Sequence, residues 1–309
     1  MKAVRFHQYG APEVLVLEDA PLPTPGAGEV RIKVAGTSFN PVDGNIRAGF
    51  MQGPIPVALP HTPGLDVAGT VDALGEGVTN VRVGDAVVAF LSMTGVGASA
   101  EHVVTAAEAL APAPTSIPLA DAAALPVVGL TAWQALFDHG GLVAGQRVLV
   151  NGAGGSVGGH AIQLAKAAGA HVIASASPRT ADRVRAAGAD EVVDRTTTAL
   201  ADAVTERVHL VLNLAPVAPE QLAALTDLVH DGGIVVNTTV WMPAPTDEAR
   251  GVRGVNLFVR SDAAQLAELG ERVDRGELRV DIARRVPLAD LPSVHAESTT
   301  LPGKVVVLV

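Results

Sequence analysis

The stretch from Val148 to Ala165 constrains this chain more than any other: a short apolar run, then glycines, then apolar residues at helical spacing. Gly152, Gly155 and Gly158 form a G-x-x-G-x-x-G pattern, with Gly154 as an extra glycine. Between a strand and a helix such glycines allow a tight turn, a close approach of backbone to ligand, and tight packing of helix on strand. The free N–H groups and the dipole of the new helix then stabilise phosphate charge. Strand before and helix after are the context that separates a dinucleotide-binding turn from a chance glycine cluster. The expected ligating segment is Gly152, Gly154, Gly155, Ser156 and Val157.

The end of the following strand predicts which dinucleotide binds. Asp or Glu about 20 residues beyond the glycines holds the ribose hydroxyls in NAD proteins. Here the segment 174–179 contains Ser175, Ser177 and Arg179, and no carboxylate lies between His171 and Ala181. Small hydroxyl donors beside an Arg suit a 2′-phosphate, which an acid would repel. The expected cofactor is NADPH, bound through Ser175, Ser177 and Arg179. Ser177 also has the position of a helix N-cap, and both roles are compatible.

Around this turn the chain changes texture. Up to about residue 115, short Val/Ile-rich runs (14–17, 30–34, 67–74, 86–90, 101–104) alternate with Gly, Pro, Asn and Asp, as in barrels or sandwiches. Beyond residue 118 helical and strand patterns alternate: helix over 119–139 with a break at 126–129, strand 147–150, helix 157–168, strand 171–176, helix 179–187, strands 191–193 and 208–214, helix 221–229, strand 234–238 and helix 263–275. Apolar strands between helices predict a parallel sheet covered on both faces. The apolar end, 304–309, reads as a strand returning to the first domain. A chain of 309 residues exceeds one ordinary core, so the expected domains are 1–117, 118–282 and a returning segment 283–309. The formal charge of −10 and the lack of any Lys/Arg run disfavour nucleic acid and anionic membranes. Without cysteine there are no disulfides and no Cys-based zinc sites. With no long apolar span, a soluble cytoplasmic protein is expected.

The segments Ser38–Asp43, Pro63–Val71, Gly77–Val87, Ala122–Trp133, the glycine turn and Gly303–Val306 together resemble the medium-chain dehydrogenase/reductase superfamily in its zinc-free quinone oxidoreductase branch. The resemblance covers essentially the whole chain. It implies an α/β fold, a Rossmann doubly wound parallel sheet plus a β-rich GroES-like domain. Zinc-containing relatives carry a Cys and a Gly-His-Glu in the first domain. Here those stretches read Gly36-Thr37-Ser38 and Gly64-Leu65-Asp66. His61 and Asp66 alone do not make a zinc site, so no metal is expected and the acceptor carbonyl must be polarised by hydrogen bonds.

By the same resemblance Asn40 and Asp43 form an N-x-x-D motif bordering nicotinamide and substrate, and Asn40 is the candidate catalytic donor to a developing oxyanion. An Asn-Pro turn is the alternative for Asn40, and Asp43 reads as structural. Relatives carry a Tyr shortly after this motif; Asn45 and Met51 stand in the two expected places, and the proton donor stays unassigned. Thr131 is expected near the nicotinamide, though a helical Thr also bonds its own backbone. Asn213 and Ala215, at one strand end, and Thr238 to Val240, at the next, are expected to meet the cofactor mainly through main chain, with Thr238 and Thr239 as named contacts. Asp43, Asn45, Met51, Leu65 and Trp241 are expected to line the substrate pocket, which suits an apolar acceptor. The expected activity is NADPH-dependent hydride transfer to a quinone or an enone C=C bond, in a homodimer. The alternatives are an enoyl-thioester reductase, with Arg47 as a thin candidate for a phosphopantetheine contact, and a non-catalytic NADPH-binding sensor.

Overall fold

In the computed structural model, residues 1–239, 241–297 and 303–309 are described. They divide between two packing units, Met1–Val127 with Ser261–Gly276 and Val280–Val309, and Val128–Arg260 with Glu277–Arg279.

The first unit is built on β-structure. Strands β1 (Lys2–Phe6) and β2 (Leu15–Asp19) form an antiparallel pair. After them come β3 (Glu29–Phe39), helix α1 (Pro41–Ala48), β4 (Asp66–Leu74), β5 (Ala86–Phe90), β6 (His102–Ala106) and the two-residue β7 (Ala111–Pro112). The expected strands at 30–34, 67–74 and 86–90 therefore exist, and β3 runs well past its apolar centre. β1 and α1 were not anticipated. The Asn40-Pro41 step opens a helix instead of a free turn: Pro at the first helical position is preset for it, and Gly49 ends it at φ +86.

The second unit starts in α2 (Pro126–Trp133). Instead of one broken helix over 119–139, the chain makes a 3-10 turn at Leu119–Ala124, then α2, then a π-helical segment, Gln134–His139. There follow β8 (Arg147–Asn151), α3 (Ser156–Ala167), β9 (His171–Ala176), α4 (Pro178–Ala186), β10 (Glu191–Asp194), α5 (Leu200–Ala203), β11 (Val208–Asn213), α6 (Pro219–Ala223), β12 (Val229–Asn237) and β13 (Arg253–Asn256). The six strands form one parallel sheet in the order β10-β9-β8-β11-β12-β13. The order reverses beside β8, the switch point where ligands sit outside strand carboxyl ends. Leu149, Ile173, Val211 and Val235 from its strands pack with Leu222, Leu225 and Leu228 in one core.

The chain returns to the first unit with α7 (Ala263–Asp274), β14 (Ile282–Pro287), α8 (Leu291–Ala296) and β15 (Lys304–Leu308). β15 lies parallel to β14 and antiparallel to β3, completing the order β14-β15-β3-β4-β5-β7, with β6 also on β3. Residues 118–127 and 261–276 thus pack with the β-rich unit. Val127 N–H is held by Asp66 (2.7 Å), Arg285 on β14 pairs with Asp121 (2.7 Å), and Asp274 accepts from the amides of Thr115 and Ser116 (both 2.8 Å). The fold is a Rossmann-type parallel sheet and a separate GroES-like β-rich unit.

Candidate active site

At the carboxyl end of β8 the backbone of Gly152 takes φ +81, and a Cβ there would meet Ala215 Cβ at 2.9 Å. At Gly158 a Cβ would sit 2.3 Å from the Ala153 carbonyl oxygen, so only glycine lets α3 approach the turn this closely. Gly155 is different. A Cβ there would meet nothing within 4 Å, so the space beside it is open and exposed. The amides of residues 154–158 have no intramolecular partner among the described residues. The first turn of α3 holds no carboxylate, and Gly155 at its N-cap supplies no side-chain cap. A row of donors without protein partners at a helix start, with open space in front, fits the diphosphate of a dinucleotide. Gly154, Gly155, Ser156 and Val157 are thus brought to one place. Gly152 acts differently, because its N–H is already spent on Ser175 Oγ (3.0 Å).

Ser175 corrects the sequence reading. It is fully buried, accepts from Gly152 N–H, and donates to Asn151 Oδ1 (2.6 Å). Its hydroxyl braces the turn and has no free donor for a ligand. Ser177 and Arg179 are less committed inside the protein. Ser177 occupies the N-cap of α4 but makes no side-chain cap bond, and its hydroxyl finds only Thr180 Oγ1 at 3.4 Å. Arg179 is exposed and makes no ion pair or hydrogen bond among the described residues. An exposed guanidinium two residues beyond a weakly bonded hydroxyl supplies the donor types that a phosphomonoester takes.

The other predicted cofactor residues in this unit are largely committed inside the protein. Asn213 is fully buried and donates to Asn237 Oδ1 (2.9 Å) and to the Ala215 carbonyl (3.1 Å). The Thr238 hydroxyl donates to the Asn213 carbonyl (3.0 Å), and the Thr239 hydroxyl to Asn237 Oδ1 (2.7 Å). Ala215 is half-buried. Contacts from these residues would be main-chain ones. Thr131 is buried within α2, Val240 lies outside the described residues, and Trp241 is 60% exposed.

In the first unit, Asn40 belongs to a buried network centred on Asp66. Asp66 is fully buried. Its Oδ1 accepts Val127 N–H (2.7 Å), and its Oδ2 accepts from Ser38 Oγ, Asn40 Nδ2 (2.8 Å) and Lys304 Nζ (3.1 Å). Lys304 also donates to Asn40 Oδ1 (2.5 Å) and the Phe39 carbonyl (3.3 Å). Asn40 is therefore held at both ends of its amide, with one Nδ2 hydrogen uncommitted. Asp43 caps α1: it accepts from Asn40 N–H (2.8 Å) and Gly64 N–H (3.2 Å). Burial raises its carboxyl to about 7 against the amide bonds that lower it.

Burial bears on two pocket expectations and on Arg47. Met51 is 3% exposed and packs in the core with Phe6, Phe39 and Ile46, so it lines no opening. Leu65 is equally buried. Arg47, on α1, is also buried, which removes it as a surface contact for a phosphopantetheine arm. Asn45 is half-buried on α1. Asp43, Asn45, Met51 and Leu65 share the first unit, while Trp241 belongs to the second. Lys304 was missed as a site residue. Its signal was a lone charge at the start of the apolar strand 304–308, where a buried ammonium needs a carboxylate.

The donor set does not fit zinc. The chain has no cysteine, every Asp66 oxygen is engaged, an ammonium already stands 3.1 Å from that carboxylate, and the described residues contain no group of three or more ligating side chains.

The chain matches the alcohol dehydrogenase GroES-like domain over residues 26–115 and the family described as zinc-binding dehydrogenase over 187–307. It is 33% identical to a quinone oxidoreductase of Lama guanicoe, over all of this chain and 97% of that protein. It is 43% identical to a chloroplast envelope quinone oxidoreductase homolog of Arabidopsis thaliana, over 62% of this chain and 60% of the relative's length. Among solved structures, the quinone oxidoreductase from Coxiella burnetii superimposes with a TM-score of 0.91 at 30% identity, covering 100% of this chain and 99% of that one. A mycobacterial protein solved in complex with NADPH gives 0.86 at 29%, and an NAD-dependent alcohol dehydrogenase 0.90 at 29%, each covering 100% of both chains. The chain belongs to the quinone oxidoreductase family of the medium-chain dehydrogenases/reductases.

Proposed function

We propose that this protein is a zinc-independent, NADPH-dependent oxidoreductase that delivers hydride to a quinone or to the activated C=C bond of an enone. The observation that carries the reading is the row of unpartnered amides at 154–158 together with the free guanidinium of Arg179, with no carboxylate between His171 and Ala181. The solved relatives include an NADPH complex and an NAD-dependent enzyme, so the choice between cofactors rests on Ser177 and Arg179. The amides hold the diphosphate and Arg179 the 2′-phosphate. When bound, the nicotinamide supplies the hydride. Asn40 uses its remaining Nδ2 hydrogen to stabilise the oxyanion that forms as the acceptor is reduced. Lys304, bonded to the carbonyl of that amide, draws charge from it and strengthens its N–H as a donor. Solvent delivers the final proton. A homodimer through the cofactor-binding unit is part of the proposal. Among the described residues β13 ends its sheet with β12 as its one strand neighbour, and Phe258 just beyond it is 58% exposed; solution mass measurement tests this.

The test pairs calorimetry with an absorbance assay over quinones, enones and a crotonyl thioester. Arg179→Ala is expected to weaken NADPH by about 10- to 100-fold, the worth of a charge-assisted bond, with NADH unchanged. Preference of the unmodified protein for NADH, or equal loss of both cofactors in the variant, would overturn the cofactor assignment. Binding of NADPH without oxidation by any acceptor would overturn the enzymatic one.

A further inference from the structure

Three asparagines end three adjacent strands in register: Asn151 on β8 faces Asn213 on β11, which faces Asn237 on β12. Each follows apolar strand residues, at 148–150, 210–212 and 234–236. All three are buried, with exposures of 6%, 0% and 1%. Side chains in register on neighbouring parallel strands share a face and stand about 4.8 Å apart, a gap that one primary amide spans with a donor on one side and an acceptor on the other.

The bonds run in one direction. Ser175 Oγ donates to Asn151 Oδ1 (2.6 Å), Asn151 Nδ2 to Asn213 Oδ1 (2.8 Å), and Asn213 Nδ2 to Asn237 Oδ1 (2.9 Å). At the near end Ser175 Oγ accepts from the N–H of Gly152, the first glycine of the turn (3.0 Å). At the far end Asn237 donates to the carbonyls of Thr239 and Met242 (both 3.0 Å) and accepts from the N–H and hydroxyl of Thr239. The chain of bonds thus links the glycine turn to the segment after β12, across the width of four strands.

Packing alone does not call for this. Valine or leucine at these positions would bury more apolar surface, and a partly satisfied polar row costs more than an apolar one. A fully bonded row instead selects a single arrangement of the groups at its two ends. We propose that Asn151, Asn213 and Asn237 are positioning residues whose shared hydrogen-bond row couples the diphosphate-binding turn at Gly152 to Thr239 and Met242. Rotating or removing one amide leaves its neighbours without partners, so the two ends hold their geometry together. The proposal rests on the dinucleotide reading only in what the turn grips.

The experiment uses the full chain, Asn237→Leu and Ser175→Ala. The first readout is calorimetric affinity for 2′-phospho-ADP-ribose, which carries the diphosphate and no nicotinamide. Asn237 touches neither the turn nor Ser175, yet Asn237→Leu is expected to weaken this ligand by about 3- to 10-fold. The second readout is hydrogen exchange at the Thr239 amide, expected to rise by about 10-fold in Ser175→Ala while the amides of β10 exchange as before. A folded Asn237→Leu protein binding within twofold of the unmodified one, or unchanged Thr239 exchange in Ser175→Ala, overturns the coupling. If Asn237→Leu does not fold, the exchange measurement decides alone. If the unmodified protein fails to bind the ligand, the dinucleotide reading falls, and the exchange result still decides the row.

Discussion

His295 offers a test of the core that a pH series can read. Its ring is 2% exposed on α8, edge-on to Phe39 with centroids 4.8 Å apart. Neither ring nitrogen has a hydrogen-bond partner among the described residues. Burial, aided by the Arg47 guanidinium on α1, lowers its pKa from 6.5 to about 3. Between those values the unfolded chain binds a proton that the folded chain refuses. The stability contributed is complete above pH 6.5 and is lost as pH falls towards 3. At about 1.4 kcal/mol per pH unit the whole window is worth about 5 kcal/mol, of which about 3 is lost by pH 4. His61, lowered to about 4 by burial, adds a loss of the same sign, and Asp43 opposes both. The unmodified protein alone would therefore mix three groups, and the variant His295→Leu isolates one. Leucine sacrifices no hydrogen bond and loses one edge-to-face contact, so at pH 7 the two proteins should agree within about 1 kcal/mol. At pH 4 the variant should be the more stable by about 3 kcal/mol. Urea unfolding at pH 7, 5.5 and 4 reads this directly. A difference between the proteins that stays constant from pH 7 to 4 would refute a buried, neutral imidazole.

Lys304→Met should leave Asp66 as a buried charge without its cation and destabilise the protein by about 3–5 kcal/mol in urea unfolding at pH 7, far more than the loss expected at an exposed lysine. Asp43 holds its proton to about pH 7, whereas its unfolded counterpart releases it near 3.8. Its contribution to stability is fully present below 3.8 and is lost as pH rises to 7; Asp43→Asn should flatten that slope, and parallel slopes in the two proteins would count against the raised value.

The second unit was largely legible because its signals are local. Apolar runs at 148–150, 171–176, 208–214 and 234–238 appear as β8, β9, β11 and β12, since strands buried on both faces need no periodicity to be recognised. β13 was missed because its residues, Arg253 to Asn256, are half-exposed at a sheet edge. β14, with Arg284 and Arg285, hid for the same reason. The strand, tight turn and helix around Gly152 to Gly158 were readable, but the task of Ser175 was not. A serine at a strand end looks the same whether it faces ligand or neighbour, and only the register with Asn151 decides. Asn151, Asn213 and Asn237 are likewise visible as three strand-ending asparagines, yet their meaning depends on which strands are adjacent. Met51 shows the reverse error: a position inferred from resemblance faces the core once α1 forms.

The network at Asp66 also bears on which acceptors the protein suits. Asp66 stands where zinc-containing relatives place the Glu of their Gly-His-Glu, and here its charge is balanced by Lys304 at 3.1 Å together with three further donors. A dication added there would meet an ammonium already in place and a carboxylate with no oxygen free. In the proposed reaction the network leaves the acceptor one amide hydrogen of Asn40, strengthened by the ammonium on its carbonyl. A neutral donor of this kind stabilises an oxyanion by much less than a metal ion bonded to it. The proposed reaction therefore requires an acceptor that brings its own stabilisation, as a quinone does by becoming aromatic and an enone does by spreading charge into an enolate. An isolated ketone brings neither, and turnover of simple ketones at rates comparable to quinones would show that polarising power comes from somewhere other than Asn40.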